Sequence, residues 1–285
     1  MPGVPFSLTA SARSRRRLVL ALCAVVVVAL LAVAGFVPLP FTVMYPGITA
    51  NTLGKYPEQP TDGLQPTQVI TITGHPVRQT SGALRMTTIS ATAPQDSISL
   101  QKAVTAWFAD DQAVVPRTAV YPAGQNVAQV NATNQQEMTD SQNAATTAAL
   151  NYLRLDPAKV KVSINLADVG GPSAGLMFTL GIIDELAGNG TGKAGPAGDL
   201  TNGANIAGTG EIDGKGNVSQ VGGVALKTKA AAGDGATVFL VPSAECSDAR
   251  AGLPRGLRLV PVDTLDQAVK ALEALQNGTG TVPSC

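Results

Sequence analysis

The sequence predicts an α+β fold (a mixed α/β domain) that follows a single N-terminal transmembrane helix. Three observations support this prediction. Strand-like and helix-like runs are intermixed along one continuous stretch, residues 67–277. Of the 285 residues, 45% are hydrophobic, which is sufficient for a substantial core. An uncharged apolar run of about twenty residues precedes that stretch, long enough to cross a bilayer.

The first 37 residues have the pattern of a membrane anchor. Arg13 and Arg15–Arg17 precede the apolar run 18–37. Because positive charge marks the cytoplasmic side, we expect residues 1–17 to be cytoplasmic and the rest of the chain to be extracytoplasmic, held at the cell membrane. A cleaved secretory signal is the alternative, since Ala32–Ala34 resembles a small-residue cleavage site. The run is longer than a usual signal core, which favours a retained anchor.

The segment after the anchor alternates between breakers and short periodic runs. Residues 38–66 are predicted to form an irregular stalk, because prolines and Pro46-Gly47 interrupt them. Residues 68–73 and 84–91 have the alternation of strands. Ser97 is a candidate N-cap for the helix that follows it.

In the second half of the chain, predicted helices and strands alternate more regularly. A helix is predicted over 134–155, with Thr133 and Gln136 as a capping box. Its alanine-rich face predicts close packing on a neighbouring element. The remaining predictions are strands at 160–166, 205–207, 217–220, 237–241 and 257–260, helices at 176–186, from 224 to about 233, near 246 and at 265–275, a glycine-rich loop at 188–203, and an irregular tail at 278–285.

One turn has the composition of a catalytic site. A period-2 run feeds Gly170-Gly171-Pro172-Ser173-Ala174-Gly175, and an apolar helical pattern follows. Pro172 suits a first helical position, which would put Ser173 at a helix N-terminus. Free N–H groups there favour developing negative charge, as a nucleophilic hydroxyl beside an oxyanion site requires. The alternative from these residues alone is that Ser173 only caps the helix.

Two downstream motifs complete a pattern. Thr209-Gly210-Glu211 is followed by Gly222-Gly223, and Lys227 stands four residues after the second glycine, ahead of Ala231-Ala232. In this order the three motifs resemble the proteolytic domain of the Lon family of serine peptidases. The likeness is strongest over residues 160–275, within a motif-bearing core of 133–275, and the membrane-anchored, PDZ-containing members are the more similar.

That resemblance implies a Lon-type proteolytic domain over 67–277 that acts as an ATP-independent endopeptidase on polypeptides. Ser173 would be the nucleophile, Lys227 its base and Thr209 an orienting hydroxyl. Gly171, Pro172 and Ala174 would form the oxyanion region. A homo-oligomeric ring is a further implication. The chain departs from those relatives because residues 155–160 leave no room for a PDZ module.

Composition and motifs exclude several other classes. A formal net charge of zero gives no basic surface for nucleic acid. Gly190–Gly195 matches a dinucleotide pattern but follows a helix rather than a strand, so no nucleotide or other cofactor is expected. No metal is expected either, because His75 is the only histidine and no carboxylates have ligand spacing.

A lysine base fits this composition, because it needs no histidine. Its amine must be neutral to accept a proton, and burial in an apolar pocket lowers a lysine pKa. Val224, Leu226 and Ala230–Ala232 are the predicted walls of that pocket. Lys229 points to another helix face and is predicted to be solvated.

Two cysteines remain outside the apolar run. Cys246 and Cys285 are a candidate disulfide in an oxidising compartment, with two free thiols as the alternative. Cys23 is expected to be a small buried residue. The competing functions are an inactive, membrane-tethered scaffold of the same fold and an envelope solute-binding module.

Overall fold

The computed structural model describes residues 9–61, 65–166, 169–278 and 280–285. Parts of the predicted cytoplasmic segment, stalk and tail (residues 1–8, 62–64 and 279) therefore lie outside the described residues. The helices are α1 (Thr9–Phe36), α2 (Leu100–Phe108), α3 (Arg117–Val120), α4 (Val127–Leu153), α5 (Gly175–Leu186), α6 (Val224–Gly233), α7 (Cys246–Arg250) and α8 (Leu265–Asn277). The strands are β1 (Phe41–Asn51), β2 (Lys55–Tyr56), β3 (Thr67–Gln68), β4 (Ile70–Thr73), β5 (Ala83–Ala91), β6 (Ala113–Pro116), β7 (Lys161–Ile164), β8 (Asn205–Gly208), β9 (Glu211–Ile212), β10 (Val218–Ser219), β11 (Val238–Pro242) and β12 (Arg258–Val262).

The fold is a mixed α/β arrangement around one main sheet. This sheet has six strands in the order β12-β11-β8-β5-β1-β6. The pairs from β12 to β5 are parallel, whereas β1 is antiparallel to both of its neighbours. Three two-stranded ribbons, β9–β10, β2–β3 and β4–β7, complete the described sheets. The strands β8, β11 and β12 are short apolar runs, as expected for strands covered on both faces.

The prediction of an irregular stalk over 38–66 is wrong. Phe41–Asn51 forms β1, which lies between β5 and β6 in the main sheet. Pro46-Gly47 is accommodated by a register shift between Pro46 and Thr49 rather than by a turn. At Pro46 only β5 pairs with the strand, because β6 reaches no further than Met44. A proline without an N–H is tolerated at such an unpaired edge.

Two helix starts also differ from the predictions. Helix α4 begins at Val127, where the side chains and backbones of Asn126 and Gln129 form the capping box, so the box at Thr133 and Gln136 is wrong. Helix α2 is capped by Ser99, whose hydroxyl accepts the N–H of Lys102, and not by Ser97. Thr133 lies inside α4, and Ser97 lies two residues before the cap of α2. In each helix the residue directly before the first turn accepts a free N–H group.

Helix α5 is the centre of the hydrophobic core. All of its 12 residues are buried, among them Phe178 with no exposed surface. Helix α4 packs along it with Met138, Ala145 and Ala149, where small side chains allow close approach. The core therefore fixes α5 from several sides, and with it the turn that leads into it.

Helix α1 stands apart from this core. The described side chains from Ser14 to Leu30 are all exposed, and Cys23, expected to be buried, is exposed with them. Helix α1 contacts α2, and the chain then enters the sheet region through a bridge from Leu39 to Ile98. Along the helices of the described residues, no stretch combines the length and the hydropathy that crossing a membrane requires.

Candidate active site

Ser173 lies in the turn between β7 and α5. The helix begins at Gly175 with Ala174 as N-cap, and no side chain caps it. Pro172 is therefore not a helical residue, and the alternative that Ser173 caps the helix is wrong. The carbonyl groups of Pro172 and Ser173, just before the helix, accept hydrogen bonds from outside α5. Pro172 O accepts the Ser141 hydroxyl at 2.9 Å, and Ser173 O accepts the Gly210 N–H at 2.9 Å.

Lys227 reaches this turn from α6. Its helix begins after Gly223 and packs against the interior strands β1 and β5 of the main sheet. The Lys227 side chain is only 3% exposed, and its Nζ lies 2.9 Å from Ser173 Oγ. Val224 and Leu226 are buried beside it, as is most of Ala230–Ala232. The two side chains that the sequence motifs single out thus meet within hydrogen-bond distance.

Thr209 connects the two. This fully buried residue follows β8, and its Oγ1 lies 3.0 Å from Lys227 Nζ. Its hydroxyl donates to the carbonyl of Ser173 at 3.1 Å. Because that bond uses the only hydroxyl proton, Oγ1 is left with lone pairs and accepts a hydrogen from the lysine amine. A neutral amine held in this way can turn its own lone pair toward Ser173.

The surroundings of Lys227 favour the neutral amine. Burial lowers its pKa from 10.5 to about 8, while the negative charge of Glu245 acts in the opposite direction. Desolvation is the larger effect because an ammonium group loses its hydration in an apolar pocket. Near neutral pH, a usable fraction of the amine is therefore unprotonated.

Of the three residues predicted to form an oxyanion region, Gly171 and Pro172 offer no free N–H group. Pro172 has no N–H, and the N–H of Gly171 donates to Asn134 O at 2.8 Å. Among the described residues, the N–H groups of Ser173 and Ala174 have no hydrogen-bond acceptor. Gly171 has φ of +90°, a conformation that a residue with Cβ rarely adopts. The turn therefore presents two adjacent N–H groups beside the Ser173 hydroxyl.

A groove of about 800 Å³ extends as far as Gly170, in the segment that precedes this turn. Asn131, Gln135 and Met138 line it from α4. A second set of lining residues comprises Ile164, Asn165, Leu166, Val169 and Gly170, the last of them three residues before Ser173. The remaining lining residues are Tyr56, Pro57, Gln65, Thr67, Asn134, Thr139 and Gln142. Ser173 is half-buried, so part of the residue remains exposed.

A second buried ionisable cluster lies at the other end of α5. Asp184 is fully buried; its Oδ1 accepts the Leu200 N–H at 2.7 Å, and its Oδ2 has no partner within the described part of the chain. Asp199, also fully buried, accepts from Arg78 at 3.1 Å and from Ser81. Burial raises the pKa of Asp184 to about 7, and that of the neighbouring Glu185 to about 7. Sequence reasoning missed this cluster, because its members come from three separate segments, at 78–81, 184–185 and 199.

The structure joins Cys246 to Cys285 by a disulfide, at a sequence separation of 39 residues. The bond attaches the C-terminal tail to the start of α7. It lies one residue from Glu245, whose charge acts on Lys227. The disulfide thus fixes the backbone that carries a charge near the candidate base.

The remaining residues considered in the sequence lie away from Lys227 and Ser173. His75 is half-buried, and its Nδ1 is 2.8 Å from Pro76 O. Lys229, predicted to be solvated, is half-buried, and its amine lies next to Gly252. Within the described ranges, no group of three or more metal-ligating side chains is close enough to hold an ion.

Comparison with known proteins adds no assignment. No family model matches this chain, and no curated protein matches it significantly.

Proposed function

We propose that this protein is an ATP-independent serine endopeptidase with a Lon-type proteolytic domain and a catalytic dyad of Ser173 and Lys227. The observation that supports this most directly is the 2.9 Å separation of Ser173 Oγ and Lys227 Nζ, with the lysine 3% exposed. A nucleophile within hydrogen-bond reach of a base, itself oriented by a third group, is the arrangement that covalent catalysis requires. Here the third group is Thr209.

In the acylation step, the neutral amine of Lys227 takes the proton of the Ser173 hydroxyl as Oγ bonds to the scissile carbonyl carbon. The carbonyl oxygen becomes an oxyanion, which the N–H groups of Ser173 and Ala174 are placed to stabilise. Such donors contribute about 3 kcal/mol each. The C–N bond then breaks, and the ammonium of Lys227 returns its proton to the leaving amine.

Deacylation repeats the sequence with water. Lys227, again neutral, removes a proton from the attacking water, and the oxygen of that water bonds to the acyl carbon. The ester bond to Oγ breaks, Ser173 regains a proton from the lysine, and the carboxylic acid product leaves. Neither step requires a nucleotide or a metal ion.

We further propose that the domain acts outside the cytoplasm, attached to the membrane by the apolar run 18–37. The support is in the sequence, where Arg13 and Arg15–Arg17 precede that run. A protease added to intact spheroplasts should digest the chain beyond Val37. Full protection of residues 67–277 would contradict the location.

Loss of the dyad separates a peptidase from an inactive scaffold. Ser173→Ala and Lys227→Met should each lower kcat/KM for a protein or peptide substrate by about three orders of magnitude or more, because general-base and nucleophilic catalysis are both lost. Lys227→Arg should be nearly as inactive, because guanidinium stays protonated. Activity is measured without added ATP or metal.

Lys229→Met is the matched control. It removes a lysine two residues away on the same helix and should leave the rate within a factor of about three, which corresponds to less than 1 kcal/mol. Wild-type protein with no activity on any unfolded protein substrate, or a Lys227→Met variant with full activity, would favour the scaffold. Circular dichroism of each variant checks that the fold is retained.

A further inference from the structure

The two free N–H groups beside the Ser173 hydroxyl belong to peptide units whose carbonyl groups are both hydrogen-bonded. The N–H of Ser173 shares a planar unit with the carbonyl of Pro172, and the N–H of Ala174 shares one with the carbonyl of Ser173. Within the described ranges the cis peptide bond is Tyr56–Pro57, so both of these units are trans and their N–H and C=O groups point in opposite directions. A partner that holds the carbonyl group therefore also fixes the direction of the N–H group.

The hydroxyl of Ser141 holds the first of these units. Ser141 lies on α4 and is only 3% exposed, and its Oγ donates to Pro172 O at 2.9 Å. Pro172 O also accepts the N–H of Gly175, but at 3.4 Å, which is long for a bond of this kind. The Ser141 hydroxyl is therefore the stronger restraint on the orientation of the peptide unit between Pro172 and Ser173.

Ser141 differs from the other hydroxyl residues along this part of α4. Thr139 and Thr147 are exposed, and each donates to a carbonyl four residues earlier in the same helix, at 3.0 Å and 2.8 Å respectively. That bond is the local alternative open to any Ser or Thr inside a helix. Ser141 is buried and donates instead to a segment 31 residues away in the sequence. Its hydroxyl therefore restrains the active-site turn rather than its own helix.

The second peptide unit is held by other groups. Ser173 O accepts the N–H of Gly210 at 2.9 Å and the hydroxyl of Thr209 at 3.1 Å. Thr209 also contacts Lys227, whereas the Ser141 hydroxyl bonds to the Pro172 carbonyl. Removal of the Ser141 hydroxyl should therefore release one oxyanion donor and leave the contacts between Ser173, Thr209 and Lys227 in place.

We propose that Ser141 is a positioning residue for catalysis, whose hydroxyl directs the N–H of Ser173 at the oxyanion through the carbonyl of Pro172. The inference rests on the proposed peptidase function and deepens it. A donor stabilises the oxyanion only when it is aimed at the place where that charge develops. A hydrogen bond to the carbonyl end also polarises the peptide unit and strengthens its N–H as a donor. Both effects act on the charged tetrahedral state more than on the bound substrate.

The first test compares kcat and KM in the full-length Ser141→Ala variant. The kcat for a peptide substrate should fall about tenfold, less than the roughly 100-fold loss that follows removal of a whole oxyanion donor. KM should stay within a factor of about two, because the lost interaction belongs to the transition state. Alanine is the best helix former, so α4 should be retained, as circular dichroism can check. An unchanged kcat, or an increase in KM alone, would overturn the proposal.

The pH profile distinguishes an effect on the oxyanion from an effect on the base. The rising limb of kcat/KM reports the ionisation of Lys227, whose surroundings do not include the Ser141 hydroxyl. Ser141→Ala should therefore lower the whole profile without moving its midpoint. A shifted midpoint would mean that Ser141 acts through the lysine, and it would contradict the assignment to the oxyanion donor.

Thr179→Val is the matched control for the loss of a buried hydroxyl. Thr179 is fully buried on α5, and its hydroxyl donates to Gly175 O at 2.8 Å and lies 3.4 Å from Ala145 O. The substitution removes a buried hydrogen bond but leaves both donors to Pro172 O, so kcat should stay within a factor of about three. An equal loss of kcat in Thr179→Val and Ser141→Ala would show a general loosening between α4 and α5 and would contradict a specific role for Ser141.

A peptide boronic acid measures the tetrahedral state directly. Ser173 Oγ forms a bond to boron while Lys227 takes the hydroxyl proton, and the product is a tetrahedral boronate that is anionic, as the reaction intermediate is. Such analogues report transition-state binding. Ser141→Ala should weaken inhibition by about the same factor, near tenfold, by which kcat falls. Equal inhibition of the wild type and the variant would overturn the proposal.

The two assays together separate this inference from the peptidase proposal. A wild type that binds the boronic acid but cleaves no peptide, with weaker binding in Ser141→Ala, would retain the positioning role and reject peptide hydrolysis. Cleavage by the wild type with an equally active Ser141→Ala variant would retain the function and reject the positioning role. Neither cleavage nor boronic acid binding by the wild type would reject both.

Discussion

The two ends of helix α5 adjoin two buried ionisable centres, and the difference between them is instructive. Near the N-terminal end, Lys227 is buried with a pKa lowered to about 8. At the C-terminal end, Asp184 is buried with a pKa raised to about 7. In both, desolvation is the largest cause, and in both it favours the uncharged form. Burial has lowered the pKa of a lysine and raised the pKa of an aspartate, so that both lie near neutral pH.

The neighbours of the two groups differ. Lys227 Nζ lies within 3.0 Å of two hydroxyl oxygens, one of them on the half-buried Ser173. Asp184 has one backbone donor and an unpartnered oxygen, and it is fully buried. A shifted pKa therefore indicates a reactive site only where the group also faces an accessible nucleophile. At Asp184 the same physics affects stability instead.

The largest effect that bears on this comparison is expected at Asp184. Its folded-state pKa of about 7 exceeds the usual 3.8, so the native protein binds more protons than the unfolded chain between these values. This contribution to stability is fully present below pH 3.8 and is lost as the pH rises through 7. At about 1.36 kcal/mol per pKa unit, the loss between pH 5 and pH 8 is about 2 to 3 kcal/mol.

Asp184→Asn should remove most of that pH dependence, because its amide oxygen can still accept the Leu200 N–H and has no charge to bury. Urea denaturation at pH 5 and pH 8 measures the effect as the change in unfolding free energy. Asp266→Asn, in an exposed pair with Lys270, is the control and should change little. If the unfolding free energy depended equally on pH in the wild type and in Asp184→Asn, Asp184 would not be a buried group that affects stability, and the comparison with Lys227 would fail.

A smaller effect is expected at Thr209. Thr209→Val keeps the shape of the side chain but loses the hydroxyl that contacts both Lys227 and Ser173 O. The loss of about 1 kcal/mol from such a hydrogen bond should reduce kcat/KM by about fivefold to tenfold. Thr209→Ser keeps the hydroxyl and should retain most of the activity. If the two variants were equally active, Thr209 would not orient the lysine.

The smallest expected effect concerns the pKa of Lys227 and its dependence on the charge of Glu245. Activity should rise with pH through about 8, because the amine must lose its proton to act as a base. Glu245 raises that pKa, so Glu245→Gln should move the rising limb of kcat/KM to lower pH, by less than about one unit. Glu273→Gln, on α8, is the control. A shift toward higher pH would contradict the assignment of Lys227 as the titrating group.

Local motifs in the sequence singled out two residues that the structure brings together, whereas part of the surrounding fold was predicted wrongly. Ser173, Thr209 and Lys227 each stand in a local motif, and short-range signals around glycines specify the turns and helix starts that carry them. The stretch 38–66 was misjudged because β1 gains its stability from β5 and β6, which lie far away in the chain. Local breakers such as Pro46-Gly47 do not report those distant partners.

Two further features could not be predicted from the sequence: the free N–H groups near Ser173 and the acidic cluster at Asp184. The N–H groups that remain available near Ser173 depend on Asn134, almost forty residues earlier in the sequence. The carbonyl of Asn134 accepts the N–H of Gly171, which is therefore not free. No local motif marks Asp184 or Asp199, and the residues that contact Asp199, Arg78 and Gln276, are distant from it in sequence. Tertiary packing decides both features.

The complete burial of α5 also affects how fast its amides exchange hydrogen with water. A helix without a solvent-facing side has no local route by which its amides can meet water, so hydrogen exchange there requires the whole domain to open. The amides from Phe178 to Leu186 should then be among the last to exchange. The turn that holds Ser173 is continuous with this helix, so Ser173 should keep its place for as long as the domain stays folded.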